Sequence, residues 1–231
     1  MNFSIFSSIS LFLLIFIITV SFGFHVYGEE IITIIPGSSD ENRYRFFDIT
    51  SYPIESQKEI VFYNADNIPH QFTIKNDQDF YKETDIIERD EKYSFQLNNE
   101  GIYHFQSDDY PWMNGKIIVN DTIFKKTLKF DSMNVNIAFT NENVNNIYNK
   151  HFKIIFTDKK NKNNLEHVDY TFTIKDSKLK KIHQHKITHS GWGVEGITVK
   201  LDPKENYKGY ITVSGLLFQP IEIETAKFDL S

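Results

Sequence analysis

From Ile31 to Val119 the chain is a succession of short apolar and polar alternations, IITII, RYRFFDI, IVFYN, HQFTI, KYSFQL, IYHFQ and KIIVN, each closed by a polar turn. A period of two sends successive side chains to opposite faces of a strand, so each segment offers one face to a core and the other to water. Helical spacing is absent apart from one helical turn expected over Asp79–Glu88. So many short strands at this spacing predict a sandwich or a barrel. The 21 Phe and 12 Tyr, set against 10 Gly and 6 Pro, suit half-buried pleated surfaces.

After a break near Asn120 to Lys126 a second series follows: TLKF, VNIAFT, FKIIFT, YTFTI, ITVKL, YITVSGLLF and IEIETAKF. At 231 residues the chain can bury two separate cores. The expectation is an all-β protein with one sandwich over 29–121 and another, of about seven strands and immunoglobulin-like size, over 122–231. Asp158 to Asn164 reads as an exposed hairpin tip, and Pro220 as a break at a strand edge.

Residues 1–28 contain no Asp, Glu, Lys or Arg and are strongly apolar. Val26-Tyr27-Gly28 ahead of Glu29 fits a signal-peptide cleavage point, while the length of the run and its lack of a basic start fit an uncleaved membrane anchor. Both readings place the body of the protein outside the cytoplasm. A net charge of −6 supplies no basic field for phosphates, which argues against nucleic acid as a partner. There are no Cys, so the chain has neither disulfides nor a thiolate ligand.

Two stretches carry the most information: Ile60 to Phe72, IVFYNADNIPHQF, and Gly101 to Gly115, GIYHFQSDDYPWMNG. Together they resemble the plastocyanin-like branch of the cupredoxin family of blue, type 1 copper proteins, in particular its exported archaeal members. The resemblance implies a plastocyanin-like cupredoxin sandwich for 29–121, followed by the immunoglobulin-like sandwich. It places His70 where the family has its first copper ligand and Asn64 where a side chain pins the loop. The family's Cys-x-x-His-Pro-Trp-Met aligns without gaps on Ser107-Asp108-Asp109-Tyr110-Pro111-Trp112-Met113. His70 and Met113 therefore stand at retained ligand positions, whereas Ser107 replaces the thiolate and Tyr110 the second imidazole.

A type 1 site needs the thiolate for tight binding and rapid electron transfer. A Ser hydroxyl does not ionise near neutrality and a phenol has a pKa of about 10, so Ser107 and Tyr110 are poor replacements. One imidazole with one thioether is a weak Cu(II) site, although such soft donors suit Cu(I), and Asp108 or Asp109 could add an oxygen. No cofactor is the expectation, with weakly held copper as the alternative. Read structurally, Pro111 and Trp112 close the end of the sandwich and Met113 fills its packing. His104 falls out of phase with Tyr103 and Phe105 and should face away from the core.

Ser107, His70 and the adjacent Asp108 and Asp109 have the composition of a hydrolytic triad. Neighbouring backbone positions rarely let a carboxylate orient the same imidazole that a Ser addresses, and no oxyanion hole is evident. The chain is therefore read as a non-enzyme.

Four histidines, His167, His183, His185 and His189, gather in the second half near Asp169. His183 and His185, two apart, share a strand face, and His189 continues their row if the strand runs on. These residues suit either a Zn(II) or Cu(II) site or a polar structural network. The stretch His167 to Ile174, with His189-Ser190-Gly191, resembles a domain that accompanies exported archaeal cupredoxins and surface proteins, without implying an activity. The functional expectation is an exported binding or scaffold protein presenting Asp108 to Trp112 to a cell-surface or redox protein, with membrane contact through 1–28 if uncleaved. The alternative is a weak, non-blue copper carrier using His70 and Met113.

Overall fold

The structure is a computed structural model that describes residues 29–144 and 147–230. The expected signal or anchor, residues 1–28, lies outside the described residues. All sixteen regular elements among the described residues are strands. The first eight are β1 (Glu30–Ile34), β2 (Ser51–Ile54), β3 (Glu59–Asn64), β4 (Phe72–Lys75), β5 (Tyr81–Glu83), β6 (Lys92–Gln96), β7 (Gly101–Ser107) and β8 (Asn114–Val119). They form a three-stranded sheet, β1-β3-β6, facing a five-stranded one, β2-β8-β7-β4-β5. The pairs β1/β3 and β2/β8 are parallel; the others are antiparallel.

The alternation seen in the sequence sets this core. Along β7 the side chains of Tyr103, Phe105 and Ser107 are buried, whereas His104 and Gln106 are exposed. Phe62 stacks on Phe72 at 4.9 Å and meets Phe105 edge-on at 5.2 Å, so aromatic rings fill the space between the sheets. The one helical turn expected, over Asp79–Glu88, is instead a reverse turn into β5. Asn76 Oδ1 accepts hydrogen bonds from the Gln78 and Phe80 amides, and Asp79 takes a left-handed φ of 61°, which turns the chain back onto β4 before a helix can start.

The remaining strands are β9 (Phe124–Lys129), β10 (Asn134–Val144), β11 (Ile147–Thr157), β12 (Val168–Asp176), β13 (Lys181–Ser190), β14 (Val194–Lys200), β15 (Tyr207–Leu216) and β16 (Gln219–Asp229). They build two four-stranded sheets, β14-β11-β10-β9 and β13-β12-β15-β16. The sandwich holds as expected, but its strand order differs from the ABED and CFG sheets of immunoglobulin constant domains. Here the first three strands run as a meander within one sheet, because the long β10–β11 hairpin keeps consecutive strands paired along its whole length. The tip at Asp158 to Asn164 is an exposed turn held by Asp158 Oδ1, which accepts from the Lys160 and Asn161 amides. Pro220 lies near the start of the edge strand β16, beside a register shift.

The two cores divide between Val119 and Leu128 except that Val194 of β14 joins the first core and Ile155 of β11 packs against it, so the sandwiches pack closely on each other. Gly196 on β14 lies against the first sandwich so tightly that a Cβ there would come 2.7 Å from Ile49 Cγ1 and 2.8 Å from the Ser51 carbonyl. Arg45 reaches Glu195 at 3.1 Å and also donates to the Val194 carbonyl at 3.2 Å. Lys153 on β11 pairs with Glu30, donates to the Tyr52 hydroxyl at 3.0 Å and lies 4.1 Å from the centre of that ring.

Candidate functional site

β3 ends at Asn64, and the side chain of that residue holds the next turn together. Its amide donates to the Ile68 and Ile87 carbonyls, both at 2.8 Å, while its oxygen accepts from the Asp66 amide at 2.8 Å. Asn64 thus pins the loop as the family resemblance implied. His70 follows, exchanging backbone hydrogen bonds with Ile87 at 3.1 and 2.8 Å. Its ring is buried, with Nε2 3.1 Å from Asp66 Oδ2 and with Nδ1 buried and unpartnered. Burial lowers the His70 pKa, against the opposing pull of Asp66 and Asp109, so the ring is neutral at pH 7. Burial would raise the Asp66 carboxyl, but hydrogen bonds from the Gly37 and Asn67 amides and from His70 outweigh it and hold the group below its ordinary value. An ionised Asp66 can only accept, which puts the ring proton on Nε2 and leaves Nδ1 as a buried lone pair.

The second loop joins β7 to β8. The Ser107 amide donates to the Met113 carbonyl at 2.9 Å, the Met113 amide to the Tyr110 carbonyl at 2.8 Å, and the Tyr110 amide to Ser107 Oγ at 3.3 Å. Asp108 donates its amide to the Gln71 carbonyl at 3.1 Å, tying this loop to the residue after His70. The Tyr110 ring packs edge-on against that of His70 with centroids 5.4 Å apart, and Met113 is fully buried. Two mixed sheets therefore bring His70, Tyr110, Ser107 and Met113 to one end of the sandwich on the two loops that the sequence pattern assigned. The first sandwich has a cupredoxin-like fold.

No family model matches the chain, and no curated protein matches it. Among solved structures, a purple cupredoxin from Nitrosopumilus maritimus is 20% identical, aligning with 39% of this chain and 99% of its own at a TM-score of 0.36. Structures of amicyanin variants are 14% identical and cover 40% of this chain and 83% of their own, with a TM-score of 0.34.

The donor set does not fit type 1 copper. Ser107 Oγ accepts a backbone hydrogen bond in place of a thiolate, and the Tyr110 phenyl ring packs on His70 where the second imidazole is expected. Among the described residues no group of three or more His, Cys, Asp or Glu side chains is placed to hold a metal ion. His70 Nδ1 is buried with no hydrogen-bond partner, which leaves its lone pair free. Trp112 closes the end of the sandwich as expected, its indole N–H donating to the Ser38 carbonyl at 3.3 Å.

Asp66 is the residue that sequence reasoning passed over. Its spacing of four from His70 within the NADNIPH turn was the available signal. Of the carboxylates weighed for a triad, Asp108 accepts from Thr73 Oγ1 at 2.6 Å, while His70 is oriented by Asp66.

In the second sandwich the histidines divide. His183 and His185 sit opposite Ile174 and Phe172 on β12, whereas His189 sits opposite Asp169. A bulge places two residues of β13, Lys186 and Ile187, against Thr171 alone on β12, so His189 leaves the row of His183 and His185 for the other face. The single row expected is therefore split. His167 joins the outer group, its Nδ1 lying 3.0 Å from His189 Nε2, and His189 Nδ1 lies 2.7 Å from Asp169 Oδ1. Burial and the neighbouring His185 lower the His183 pKa.

Proposed function

We propose that the chain is an exported binding or scaffold protein, in which the cupredoxin-like sandwich presents Asp108 to Trp112 to a protein partner at the cell surface. The observation that carries this reading is the pairing of an intact loop frame with a donor set unfit for blue copper. The loop keeps its backbone hydrogen bonds and its spacing, and Asp108, Asp109 and Pro111 stand exposed at its tip beside the half-buried Tyr110 and Trp112. Aromatic anchors next to exposed carboxylates suit recognition of a partner with a basic rim around an apolar notch. A photo-crosslinking residue at Pro111 tests this on cell envelopes. A discrete adduct that is lost when Tyr110 and Trp112 become Ala supports the reading, and an adduct indifferent to both changes counts against it.

A second reading, a weak carrier of Cu(I), is favoured by the unpartnered Nδ1 of His70, whose ring packs on Tyr110 in the same loop as the buried Met113. Imidazole and thioether are donors that suit this ion. Copper titration of the wild type and His70→Ala separates the two readings. Stoichiometric Cu(I) lost in the variant supports the carrier, and a protein that retains no copper removes it.

A further inference from the structure

The outer face of the second sandwich carries a chain of polar contacts that the proposed binding role does not use. His167 Nδ1, His189 Nε2, His189 Nδ1 and Asp169 Oδ1 follow one another at 3.0 Å between the rings and 2.7 Å to the carboxylate. The rings of His167 and His189 stack with centroids 5.2 Å apart. Phe218 covers both, 3.9 Å from the first and 5.3 Å from the second.

Several features of the backbone accompany this arrangement. His167 adopts φ 54°, a left-handed conformation costly for a side chain of its size, and this turns the ring toward His189. Leu217 and Phe218, at φ 50° and 63°, make the tight turn between β15 and β16, with the Leu217 amide donating to the His167 carbonyl at 2.9 Å. Opposite Asp169 in the register stands Gly215, where a Cβ would lie 2.4 Å from Asp169 Oδ2. Glycine at that position makes room for the carboxylate.

We propose that His167 Nδ1 and His189 Nε2 form a two-imidazole site for a divalent cation of the Zn(II) or Cu(II) kind, with Asp169 as the carboxylate that orients His189. Two imidazole nitrogens 3.0 Å apart can each ligate one ion at about 2.0–2.1 Å, the ion standing beside the line on which the proton now lies. Binding therefore replaces the His167 to His189 hydrogen bond, and the ring proton of His167 passes by way of water from Nδ1 to Nε2, so that the neutral imidazole ligates through Nδ1 with no net release of a proton. Asp169 accepts from His189 Nδ1–H and so fixes Nε2 as the donor, the support that ligating histidines commonly receive. Only two protein donors reach the ion; water or a ligand from a partner completes its shell. Phe218 restricts the approach of solvent from one side.

Titration of the full chain with Zn(II), and separately with Cu(II), followed by calorimetry and by the histidine ring resonances, tests the site. One ion per chain is expected, with Cu(II) the tighter of the two. His189→Ala and His167→Asn, the latter chosen because Asn tolerates a left-handed φ, should each weaken binding tenfold or more. Asp169→Asn should cost about 10- to 100-fold. His183→Ala, His185→Ala and His70→Ala should leave the affinity unchanged, the last separating this site from the first sandwich. Failure to bind either ion at millimolar concentration overturns the proposal, as does binding that survives both His167→Asn and His189→Ala or that is lost in His70→Ala.

Discussion

The Asp66 carboxylate lies 3.1 Å from Nε2 of His70 inside the first sandwich, and on the other side of the ring Nδ1 has no partner. The carboxylate thus decides which nitrogen carries the proton. At the two positions where the sequence resemblance expects a thiolate and a second imidazole stand the Ser107 hydroxyl, which accepts from the Tyr110 amide, and the Tyr110 phenol, whose ring packs on His70.

Replacing Asp66 by Asn should leave the acceptor for the Gly37 and Asn67 amides in place while offering His70 a donor instead of an acceptor. The ring should then move its proton to Nδ1, visible in its nitrogen chemical shifts. The lost charge-assisted hydrogen bond should cost roughly 1–3 kcal/mol in urea denaturation. An unchanged tautomer would show that Asp66 does not control the ring.

Arg45 and Glu195 hold the two sandwiches together through a pair that is 20% and 8% exposed at its side chains. Arg45→Met removes the cation and leaves Glu195 buried beside apolar surface, which should cost roughly 1–3 kcal/mol after allowance for the partial exposure of Arg45. Calorimetry should resolve two unfolding transitions in this variant where the wild type shows closer coupling. The double change Arg45→Met with Glu195→Gln should recover part of the loss, because no unpaired buried charge then remains.

The same interface depends on the absence of one side chain. Gly196→Ala puts a methyl group 2.7 Å from Ile49 Cγ1 and 2.8 Å from a backbone oxygen, and the backbone cannot rotate away as a flexible side chain could. A destabilisation of about 1–3 kcal/mol is expected, read from thermal melts. A neutral outcome would mean that the sandwiches separate more readily than their packing implies.

The strands of this chain were legible because period two is written directly into segments such as IYHFQ, where Tyr103 and Phe105 point in and His104 points out. The loop positions of His70, Ser107, Tyr110 and Met113 were equally legible, since spacing between the end of one strand and the start of the next survives changes in side-chain chemistry. What was not legible depends on register. Nothing in KIHQHKITHS announces the bulge that sends His189 to the face of Asp169, because an extra residue in a strand leaves its composition unchanged. Strand order in the second sandwich was hidden for a similar reason: alternation shows which residues face inward and says little about which strand lies next to which. Asp66 was hidden because its role arises from a turn that folds a carboxylate back onto the ring four residues later.

Two buried groups give the stability of the chain opposing dependences on pH. Asp48 is buried, and desolvation pushes its carboxyl up to about 6 against hydrogen bonds and nearby cations that favour the charge. Its contribution is full below the ordinary value of 3.8 and is lost as pH rises through about 6, a difference worth up to about 3 kcal/mol. His151 is fully buried, with Nε2 2.8 Å from Glu142 and Nδ1 2.8 Å from Thr198, and burial lowers its pKa below 6.5, with Lys116 adding to the shift and Glu142 opposing it. Its contribution is full above 6.5 and is lost as pH falls through the lowered value. Urea midpoints between pH 4 and pH 8 should therefore change less in the wild type than in either single variant. Asp48→Asn can keep the bond from the Thr33 amide, so it should stabilise the chain at pH 8, have little effect at pH 4, and leave a profile that rises toward neutrality through His151. His151→Gln should lessen that rise, to which His70 also contributes because burial lowers its pKa in the same way, and should make the fall that Asp48 produces between pH 4 and pH 6 steeper. If Asp48→Asn and the wild type share one midpoint at pH 8, Asp48 does not carry the buried charge on which this balance depends.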